Sequence, residues 1–432
     1  MKNSILFLIA LFTLSGTKCN EVVVDPTIKS VFEELESEFP QILQDPDKYE
    51  VQVRYTQINL EDKQLKFDNF DYHVDPLQYF YPASTVKMPV AFLALEKLEM
   101  IQSSGYKVDI DTPIRFGKGM SPQTKFKNDA TAKDSIITLR HLINRVFTVS
   151  DNNAYNRLYE FVGRDDINKA LRAKGFFKHS RIISRVGVSG FDYETNAFAN
   201  PFEFYNDNGV IYTEIVRKSS NDFRSLIVQN SSKGLGYIDS EDELINEPFN
   251  MSDKNFINIE DLEASLQRVI YPEYFSEESR FQLNEYHYSF LRHAMARLPR
   301  EQEYPKYDRE EYHDSYVKLF MFGDNQNEIP DHIRIFNKVG YAYGTLTDCA
   351  FIVDLKYDIA FFLTATIQVN ENQIFNDGVY EYDEVGIPFL ASLGRKIYDL
   401  ELSRDRPNYD LDRFKMNYNK ELPLAKISAP RN

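Results

Sequence analysis

Ser84 and Lys87 form the pair of residues in this sequence that is best suited to nucleophilic catalysis. They stand three apart in a Ser-x-x-Lys segment that follows the Tyr81–Pro82 break and opens a run of apolar residues at helical spacing. Because residues three apart share one face of a helix, the Lys87 amine can reach the Ser84 hydroxyl and take its proton. The N–H groups at a helix N-terminus also favour an alkoxide there.

The Ser-x-x-Lys pattern is weak evidence by itself. Only one of its four occurrences lies at the start of a buried helix after an extended segment; the four begin at Ser15, Ser84, Ser104 and Ser315. Taken alone, Ser84 also fits a plain serine at a helix N-terminus.

Ser150-Asp151-Asn152 supplies the hydroxyl and amide that a second wall of an active site requires. The tripeptide falls in the break between two predicted helices. The alternative is that Ser150 or Asp151 only caps the helix that starts near Asn153. The two interpretations are compatible, and we expect both to hold.

Lys338-Val339-Gly340 ends a predicted apolar strand near the C-terminus. A lysine beside a glycine there offers a positive charge and room for a substrate backbone to approach. This third segment completes a set of hydroxyl, amine and amide groups.

In this order, the three segments resemble the Ser-x-x-Lys, Ser-Asp-Asn and Lys-Thr-Gly motifs of class A β-lactamases and penicillin-binding proteins. The resemblance covers about residues 30 to 400, and the chain also looks like a longer subgroup of these serine hydrolases typical of the Bacteroidetes. It implies an α+β, β-lactamase/transpeptidase-like fold over residues 28–402. The implied sheet lobe comprises about 28–84 and 334–402, and the helical lobe about 85–333.

The resemblance assigns the chemistry to the motif residues. Ser84 would attack a carbonyl carbon to form an acyl-enzyme, and Lys87 would take the serine proton. Ser150, held by Lys87 and Lys338, would relay this proton to the leaving nitrogen. Asn152 would bind the amide of the substrate.

Substrate binding is implied for the strand motif. Lys338 would attract a carboxylate, Gly340 would leave space, and the N–H groups of Ser84 and Tyr341 would form an oxyanion hole. Val339, however, stands where the family has threonine, so one hydroxyl that helps to bind a carboxylate is missing.

The carboxylate that deacylates class A enzymes has no clear counterpart, because their Glu-x-x-x-Asn pattern is absent. Asp192 is the nearest candidate, in Asp192-Tyr-Glu-Thr-Asn196, and Glu194 is the other; a polar loop with a helix cap explains the segment equally well. We therefore expect a serine hydrolase that cleaves β-lactams. The alternatives are a D-alanyl-D-alanine peptidase or esterase with the same residues, and a binder of β-lactams or wall peptides without turnover.

The remaining pattern predicts helices around a sheet assembled from both chain ends. Helices are predicted over 28–38, after Pro82, and over 135–147, 153–161, 166–174, 258–270, part of 279–298 and 384–400. Strands are predicted over 49–58, 66–74, 334–338, 349–354 and 359–367. An insertion over about 206–256 contains a predicted hairpin that either covers the site or decorates the helical lobe. Residues 301–316 are interpreted as a solvated acidic loop, and 403–432 as an extended polar tail.

The N-terminus predicts export to the periplasm or cell envelope. Lys2 precedes the apolar run Ile5–Leu14, which is typical of a signal peptide over residues 1–18. Cys19 offers a lipidation site, although Lys18 before it is unusual for that signal, so cleavage without lipid remains the alternative. If Cys19 is lipidated or cleaved off, Cys349 is the one cysteine left, so we expect no intrachain disulfide.

The formal net charge of −16 excludes nucleic acid and anionic lipid as expected partners. Membrane contact is expected only through an N-terminal lipid, and the substrate is a small molecule or peptide. The seven histidines are scattered without metal-ligand spacing, so no metal or other cofactor is expected.

Overall fold

The computed structural model describes residues 25–62, 64–224, 226 and 228–423. The expected signal peptide and Cys19 lie outside the described residues, as does the end of the tail. No helix in the described ranges is both long and apolar enough to cross a membrane.

The predicted helices are present in the predicted order with boundaries shifted by a few residues, and the short α2 was not predicted. Their bounds are α1 Pro26–Glu38, α2 Pro40–Leu43, α3 Lys87–Ser103, α4 Leu139–Thr148, α5 Asn152–Val162, α6 Arg164–Ala173, α7 Ile259–Ile270, α8 Glu285–Ala296 and α9 Ile387–Ser403.

The strands fall into one large sheet and several short pairings. Their bounds are β1 Gln52–Glu61, β2 Gln64–Tyr72, β3 Ile114–Phe116, β4 Phe198–Ala199, β5 Phe202–Asn206, β6 Gly209–Glu214, β7 Arg217–Lys218, β8 Ser232–Lys233, β9 Gly236–Ile238, β10 Leu244–Ile245, β11 Phe249–Asn250, β12 Ile333–Ala342, β13 Thr345–Asp354, β14 Ile359–Gln368 and β15 Ile374–Phe375.

The large sheet has the order β12-β13-β14-β1-β2, and every neighbouring pair is antiparallel. Two strands come from the N-terminal part and three from the C-terminal part, so the predicted α+β sheet from both chain ends is confirmed. The strand that carries the lysine motif, β12, lies at one edge with Lys338 opposite Cys349. The outer edge of β12 is therefore not paired with another strand of this sheet and can face the helical lobe.

Both faces of this sheet are covered, which explains why every residue of β13 is buried and why residues 349–353 form an unbroken apolar run. On one face, Phe351 and Val353 belong to the core shared with α3, α4, α5, α7 and α8. On the other face, Ala350 and Ile352 pack in the core beneath α1 and α9. Alternation along the strand assigns successive residues to opposite faces.

Helix α4 begins later than predicted. The sequence predicts a helix from Ser135, but the Thr138 side chain accepts a hydrogen bond from the His141 N–H and starts α4 at Leu139. Asp134 and Ser135 have left-handed backbone angles in a separate turn. The cap at Asn258, by contrast, is confirmed: its side chain accepts from the Asp261 N–H and starts α7.

The described part of the tail differs from the predicted extended segment. After α9, the chain folds back and buries Tyr409, Leu411, Phe414 and Tyr418 in the core of the helical lobe. The Phe414 ring lies 5.1 Å from that of Phe351. These apolar side chains recur every two to four residues, which is sufficient to anchor a segment without regular structure.

The predicted hairpin of the insertion is confirmed as β9 and β10. Strand β9 also pairs in parallel with β15, which follows the large sheet. Leading into this region, Gln229 exchanges backbone hydrogen bonds with Leu77 and Tyr79. The insertion therefore packs against the chain that approaches Ser84.

Candidate active site

Ser84 lies in a 3-10 turn, Ala83–Val86, that leads directly into α3. The Lys87 N–H bonds the Ser84 carbonyl, so Lys87 follows one turn later on the same side. Ala83 has a φ of 45°, a conformation that costs a non-glycine residue free energy and that recurs at functional sites. The buried side chains of Ala83, Thr85 and Val86 hold this turn, and with it Ser84, in place.

The Lys87 amine is buried and binds the Ser-Asp-Asn turn. It donates to the Ser150 carbonyl at 2.5 Å and to the Asn152 Oδ1 at 2.6 Å, and it lies 3.3 Å from the Ser150 Oγ. Burial lowers the pKa of Lys87 to about 7, while the Asp151 carboxylate opposes this shift. The amine is therefore able to accept a proton near neutral pH.

The half-buried Ser84 hydroxyl has no hydrogen-bond partner among the described residues. It is thus available to a ligand, while the adjacent lysine is engaged with Ser150 and Asn152. Catalytic hydrogen bonds often form only when substrate is bound.

Ser150 occupies the centre of the site. Its Oγ accepts a hydrogen bond from the Lys338 Nζ at 2.7 Å, opposite the contact with Lys87. Its φ of 56° is left-handed, which turns the chain sharply between α4 and α5. The hydroxyl is placed between two lysines, where it can pass a proton.

Asp151 confirms the capping interpretation of the same turn. One oxygen accepts from the Ala154 N–H at 2.7 Å and starts α5, and the other is paired with Arg145. Capping and placement of Ser150 are therefore combined in three residues.

Strand β12 brings Lys338 and Gly340 to this turn. Burial lowers the pKa of Lys338 well below its usual range, with repulsion from Lys87 acting in the same direction. A Cβ at Gly340 would lie 2.5 Å from the Pro82 carbonyl oxygen and 2.9 Å from the Ser84 nitrogen. Glycine is thus required for the strand edge to approach the Ser84 turn.

Tyr341 follows at the end of the same strand. Its side chain is 51% exposed, and Val339 before it is buried in the core beneath α9. The structure thus brings together six of the residues predicted from the sequence: Ser84, Lys87, Ser150, Asn152, Lys338 and Gly340, with Tyr341 beside them.

Asp192 makes no hydrogen bond to these residues within the part of the chain that the structure describes. Its exposed carboxylate accepts hydrogen bonds from the Thr195 N–H and Oγ1, both at 2.7 Å, and so closes the turn that leads into Thr195–Ala197. These bonds lower its pKa. Glu194 is also exposed. The interpretation as a capped polar loop is the one that the structure supports.

Another part of that loop borders the site. The Asn156 side chain exchanges hydrogen bonds with both the N–H and the carbonyl of Val186, at 3.0 Å each. A Cβ at Gly187 would lie 2.1 Å from the Asn152 Nδ2, so Gly187 approaches this amide closely. Neither Gly187 nor Asn156 was identified from the sequence. The part of the loop that lies beside Asn152, residues 185–187, contains no Asp or Glu.

A buried polar chain lies beneath β12. The Lys318 Nζ donates to the Asn337 Oδ1 at 2.6 Å, and the Asn337 Nδ2 donates to Asp348 at 2.8 Å. Burial lowers the pKa of Lys318 to about 7 and raises that of Asp348 to about 6. Among the described residues, no group of three or more His, Cys, Asp or Glu side chains has the arrangement of a metal site.

The segment 301–316 was interpreted as a solvated loop, and this is wrong for part of it. Asp314 is buried and paired with Arg300. Burial raises the pKa of Tyr307 to about 12, and the charges of Arg145 and Asp151 act on its hydroxyl. The rings of Tyr307 and Tyr312 lie 5.1 Å apart, so these tyrosines of the segment pack on one another.

The family model "Beta-lactamase enzyme family" matches residues 34–225. No curated protein matches the chain.

Solved structures with similar folds include a class A β-lactamase from Mycobacterium abscessus, with 13% identity, a TM-score of 0.44 and coverage of 86% of this chain and 97% of that chain. A β-lactamase from Xanthomonas campestris has 13% identity and a TM-score of 0.45, with coverage of 86% and 98%. Similarity at this level carries no information about substrate or activity. With the sheet from both chain ends and the family match over residues 34–225, this chain has a β-lactamase-like α+β fold.

Proposed function

We propose that this protein is a serine hydrolase of the β-lactamase type that forms an acyl-enzyme at Ser84. The observation that carries the proposal is the convergence of two buried lysines on one hydroxyl. Lys87 and Lys338 both contact the Ser150 Oγ, while Gly340 places the strand edge against the Ser84 backbone. Such a group of perturbed amines around a hydroxyl is typical of a catalytic site.

In the first step, neutral Lys87 takes the proton of Ser84, and the Ser84 Oγ attacks the substrate carbonyl carbon. The pKa of about 7 makes a substantial fraction of this amine neutral at neutral pH. The N–H groups of Ser84 and Tyr341 stabilise the oxyanion; loss of one such donor typically slows a reaction about a hundredfold or more.

In the second step, the bond to the leaving atom breaks and the proton moves from Lys87 through Ser150 to that atom. The Ser150 Oγ is in contact with Lys87 on one side and receives a hydrogen bond from Lys338 on the other. Lys338 thus fixes the orientation of the relaying hydroxyl. Water then hydrolyses the acyl-enzyme.

The substrate class that we propose is a β-lactam, in line with the family match over residues 34–225. A D-alanyl-D-alanine peptide or an ester undergoes acyl transfer at the same atoms and is the alternative. The resemblance to a longer Bacteroidetes-type subgroup belongs to this proposal as well.

One observation favours a second candidate, a protein that acylates and releases its product slowly. No carboxylate among the described residues hydrogen-bonds Lys87 or Ser150, and Asp192 caps a turn instead. Without a base to activate water, the acyl-enzyme persists. The protein would then act as a sensor or a binder of wall peptides.

Intact-mass spectrometry of the protein mixed with benzylpenicillin over time tests both candidates. We expect an adduct of one penicillin mass that is lost in Ser84→Ala and retained in Ser104→Ala, which changes an exposed serine of another Ser-x-x-Lys segment. Rapid drug consumption without a lasting adduct supports a β-lactamase, and a stable adduct supports the slow acyl-enzyme. Neither adduct nor turnover with penicillin, esters and D-alanyl-D-alanine peptides contradicts the proposal.

We also propose that the chain is exported and processed near Cys19, on the basis of the apolar run Ile5–Leu14. Mass analysis of the mature N-terminus after expression with the native leader tests this. A diacylglyceryl mass that disappears in Cys19→Ser indicates lipidation, and a bare new N-terminus indicates simple cleavage. An intact N-terminus contradicts export by this route.

A further inference from the structure

A cavity of about 570 Å³ opens at the end of β12, beside the proposed oxyanion residue. Tyr341 connects the two places, because its N–H belongs to the proposed oxyanion hole and its half-exposed ring lines the cavity. The other side chains that decide its chemistry are those of His313, Tyr316, Asp324, Tyr382 and Asp383.

Three tyrosine rings form the aromatic part of this cavity. The rings of Tyr341 and Tyr382 lie 5.6 Å apart in an edge-to-face arrangement, and Tyr316 comes from the segment before β12. The Tyr382 hydroxyl accepts a hydrogen bond from the Gly344 N–H at 2.8 Å, and Tyr316 packs 4.9 Å from Tyr312. Two of the rings are thus held by neighbours before any ligand arrives.

The charges around the cavity are negative or neutral. None of the described residues that line it is Lys or Arg. Asp324 is offset by Arg395, whereas the exposed Asp383 makes no ion pair within the part of the chain that the structure describes. Burial lowers the pKa of His313, which favours the uncharged form of its ring.

We propose that this cavity is a subsite for a cationic, ammonium-bearing group on the leaving part of the substrate. Aromatic faces and a carboxylate both attract an ammonium group, and an anion would meet Asp383 without a compensating cation. We place the cavity on the leaving side because Tyr341, which lines it, follows Lys338 by three residues on β12. Lys338 in turn binds the Ser150 hydroxyl that returns the proton to the leaving atom.

Val339 is consistent with this preference. It replaces a hydroxyl that would help to bind a carboxylate, and its side chain is buried away from solvent. The inference rests on the proposed function of Ser84 and specifies the substrate that this site selects.

Three thioesters with the same phenylacetyl group and different leaving thiols test the preference. Thiocholine is cationic, 2-mercaptoethanol is neutral and thioglycolate is anionic; in each, the Ser84 oxygen–carbon bond forms, the carbon–sulfur bond breaks and the thiolate takes the proton. We expect kcat/KM to be highest for the thiocholine ester and about tenfold lower for the neutral ester, mainly through KM. The thioglycolate ester should be the poorest substrate.

Variants identify the residues responsible. Tyr316→Leu and Asp383→Asn should each lower the ratio of kcat/KM for the thiocholine ester to kcat/KM for the neutral ester about threefold or more. Tyr357→Leu, in the β13–β14 turn at the far end of the sheet, and Asp207→Asn, in the β5–β6 turn, are the matched controls. Equal kcat/KM for all three esters, or a preference for thioglycolate, overturns the subsite and leaves the proposed function of Ser84 intact.

Binding without catalysis separates the two proposals. Choline chloride titrated into Ser84→Ala by NMR should show saturable binding that weakens in the double variants with Tyr316→Leu or Asp383→Asn. Choline binding together with no cleavage of any thioester refutes the proposed function but supports the subsite. Absence of choline binding, or binding unaffected by both substitutions, refutes the subsite.

Discussion

The Lys338 Nζ donates a hydrogen bond of 2.7 Å to the Ser150 Oγ, and this bond joins residues 188 positions apart. It links the edge strand of the sheet to the turn between α4 and α5. Since Lys87 contacts the same hydroxyl, two buried amines face one another across it. Burial and mutual repulsion disfavour two ammonium groups there, so the arrangement favours a neutral lysine at the reacting centre.

Gly340→Ala should abolish most of the acylation activity. The added Cβ would lie 2.5 Å from the Pro82 oxygen and 2.9 Å from the Ser84 nitrogen, which are backbone atoms that cannot rotate away. We expect the Ser84 turn to be displaced and the acylation rate to fall about a hundredfold, since a small misplacement has effects of this size. The measurement is the rate of adduct formation by mass spectrometry.

Gly378→Ala is the control for this change. Gly378 has a φ of 78° with nothing within 4 Å of an added Cβ, so the variant is strained only through its backbone. It should lose about 1 kcal/mol of unfolding free energy and retain acylation. Normal acylation in Gly340→Ala would show that the close approach has no role at the site.

The pH dependence of acylation should report the amine of Lys87. Since the amine must be neutral to accept the Ser84 proton and its pKa is about 7, the acylation rate should fall about tenfold per pH unit below this value. The rate should be nearly constant above pH 8. Stopped-flow or quenched mass measurements between pH 5 and 9 give this profile.

Asp151→Asn tests whether the acidic limb of this profile follows the pKa of Lys87. The Asp151 carboxylate raises the pKa of Lys87, so its neutralisation should move the acidic limb of the profile to lower pH. Asparagine retains the cap of α5, which limits the structural change. A limb that stays in place or moves to higher pH would exclude Lys87 as the group that titrates.

Much of the fold followed from local patterns in the sequence. The caps at Asn258 and Asp151 were predicted because short polar side chains before apolar helical runs satisfy the first free N–H groups. The sheet from both chain ends followed from apolar β-rich runs at each end. Ser84, Lys87, Ser150 and Lys338 were found because their order and spacing form a recognisable set.

Features that depend on distant packing were not predictable in this way. The burial of Phe414 depends on a groove beside Phe351, and the close approach of Gly187 to Asn152 depends on how the loop folds. The left-handed angle at Ser150 is held by tertiary contacts and has no glycine to signal it. Asp192 was selected because its spacing from Asn196 resembles a motif, and that spacing could not reveal that the carboxylate accepts hydrogen bonds from Thr195 in its own turn.

Asp192→Asn should leave the lifetime of the acyl-enzyme unchanged within about twofold, because mutation of a residue that does not contact reacting groups has little effect on the barrier. Asparagine also preserves the acceptor that binds the Thr195 N–H. The measurement is loss of the penicillin adduct over time in this variant and the wild type. A markedly longer-lived adduct would restore Asp192 as the deacylating base.

Lys318→Met should destabilise the protein because it leaves the Asp348 carboxylate buried without its nearby cation. Lys318 and Asp348 are joined through Asn337, and both are fully buried. Removal of one partner of a buried charged pair typically costs about 3–5 kcal/mol, whereas removal of both costs much less than the sum. Urea unfolding of Lys318→Met, Asp348→Asn and the double variant measures this coupling.

The pH dependence of the free energy of unfolding of Lys318→Met is a second, independent test of this interaction. The pKa of Asp348 is already raised to about 6, and loss of the lysine charge should raise it further. A carboxyl whose native pKa exceeds its unfolded pKa binds more protons in the native state, so stability should fall as pH rises from about 5 to 8, more steeply than in the wild type. Asp348→Asn in the same background should remove this slope. Additive single effects and parallel pH profiles would mean that the two charges do not interact, and that Asn337 alone holds β12 beneath Lys338.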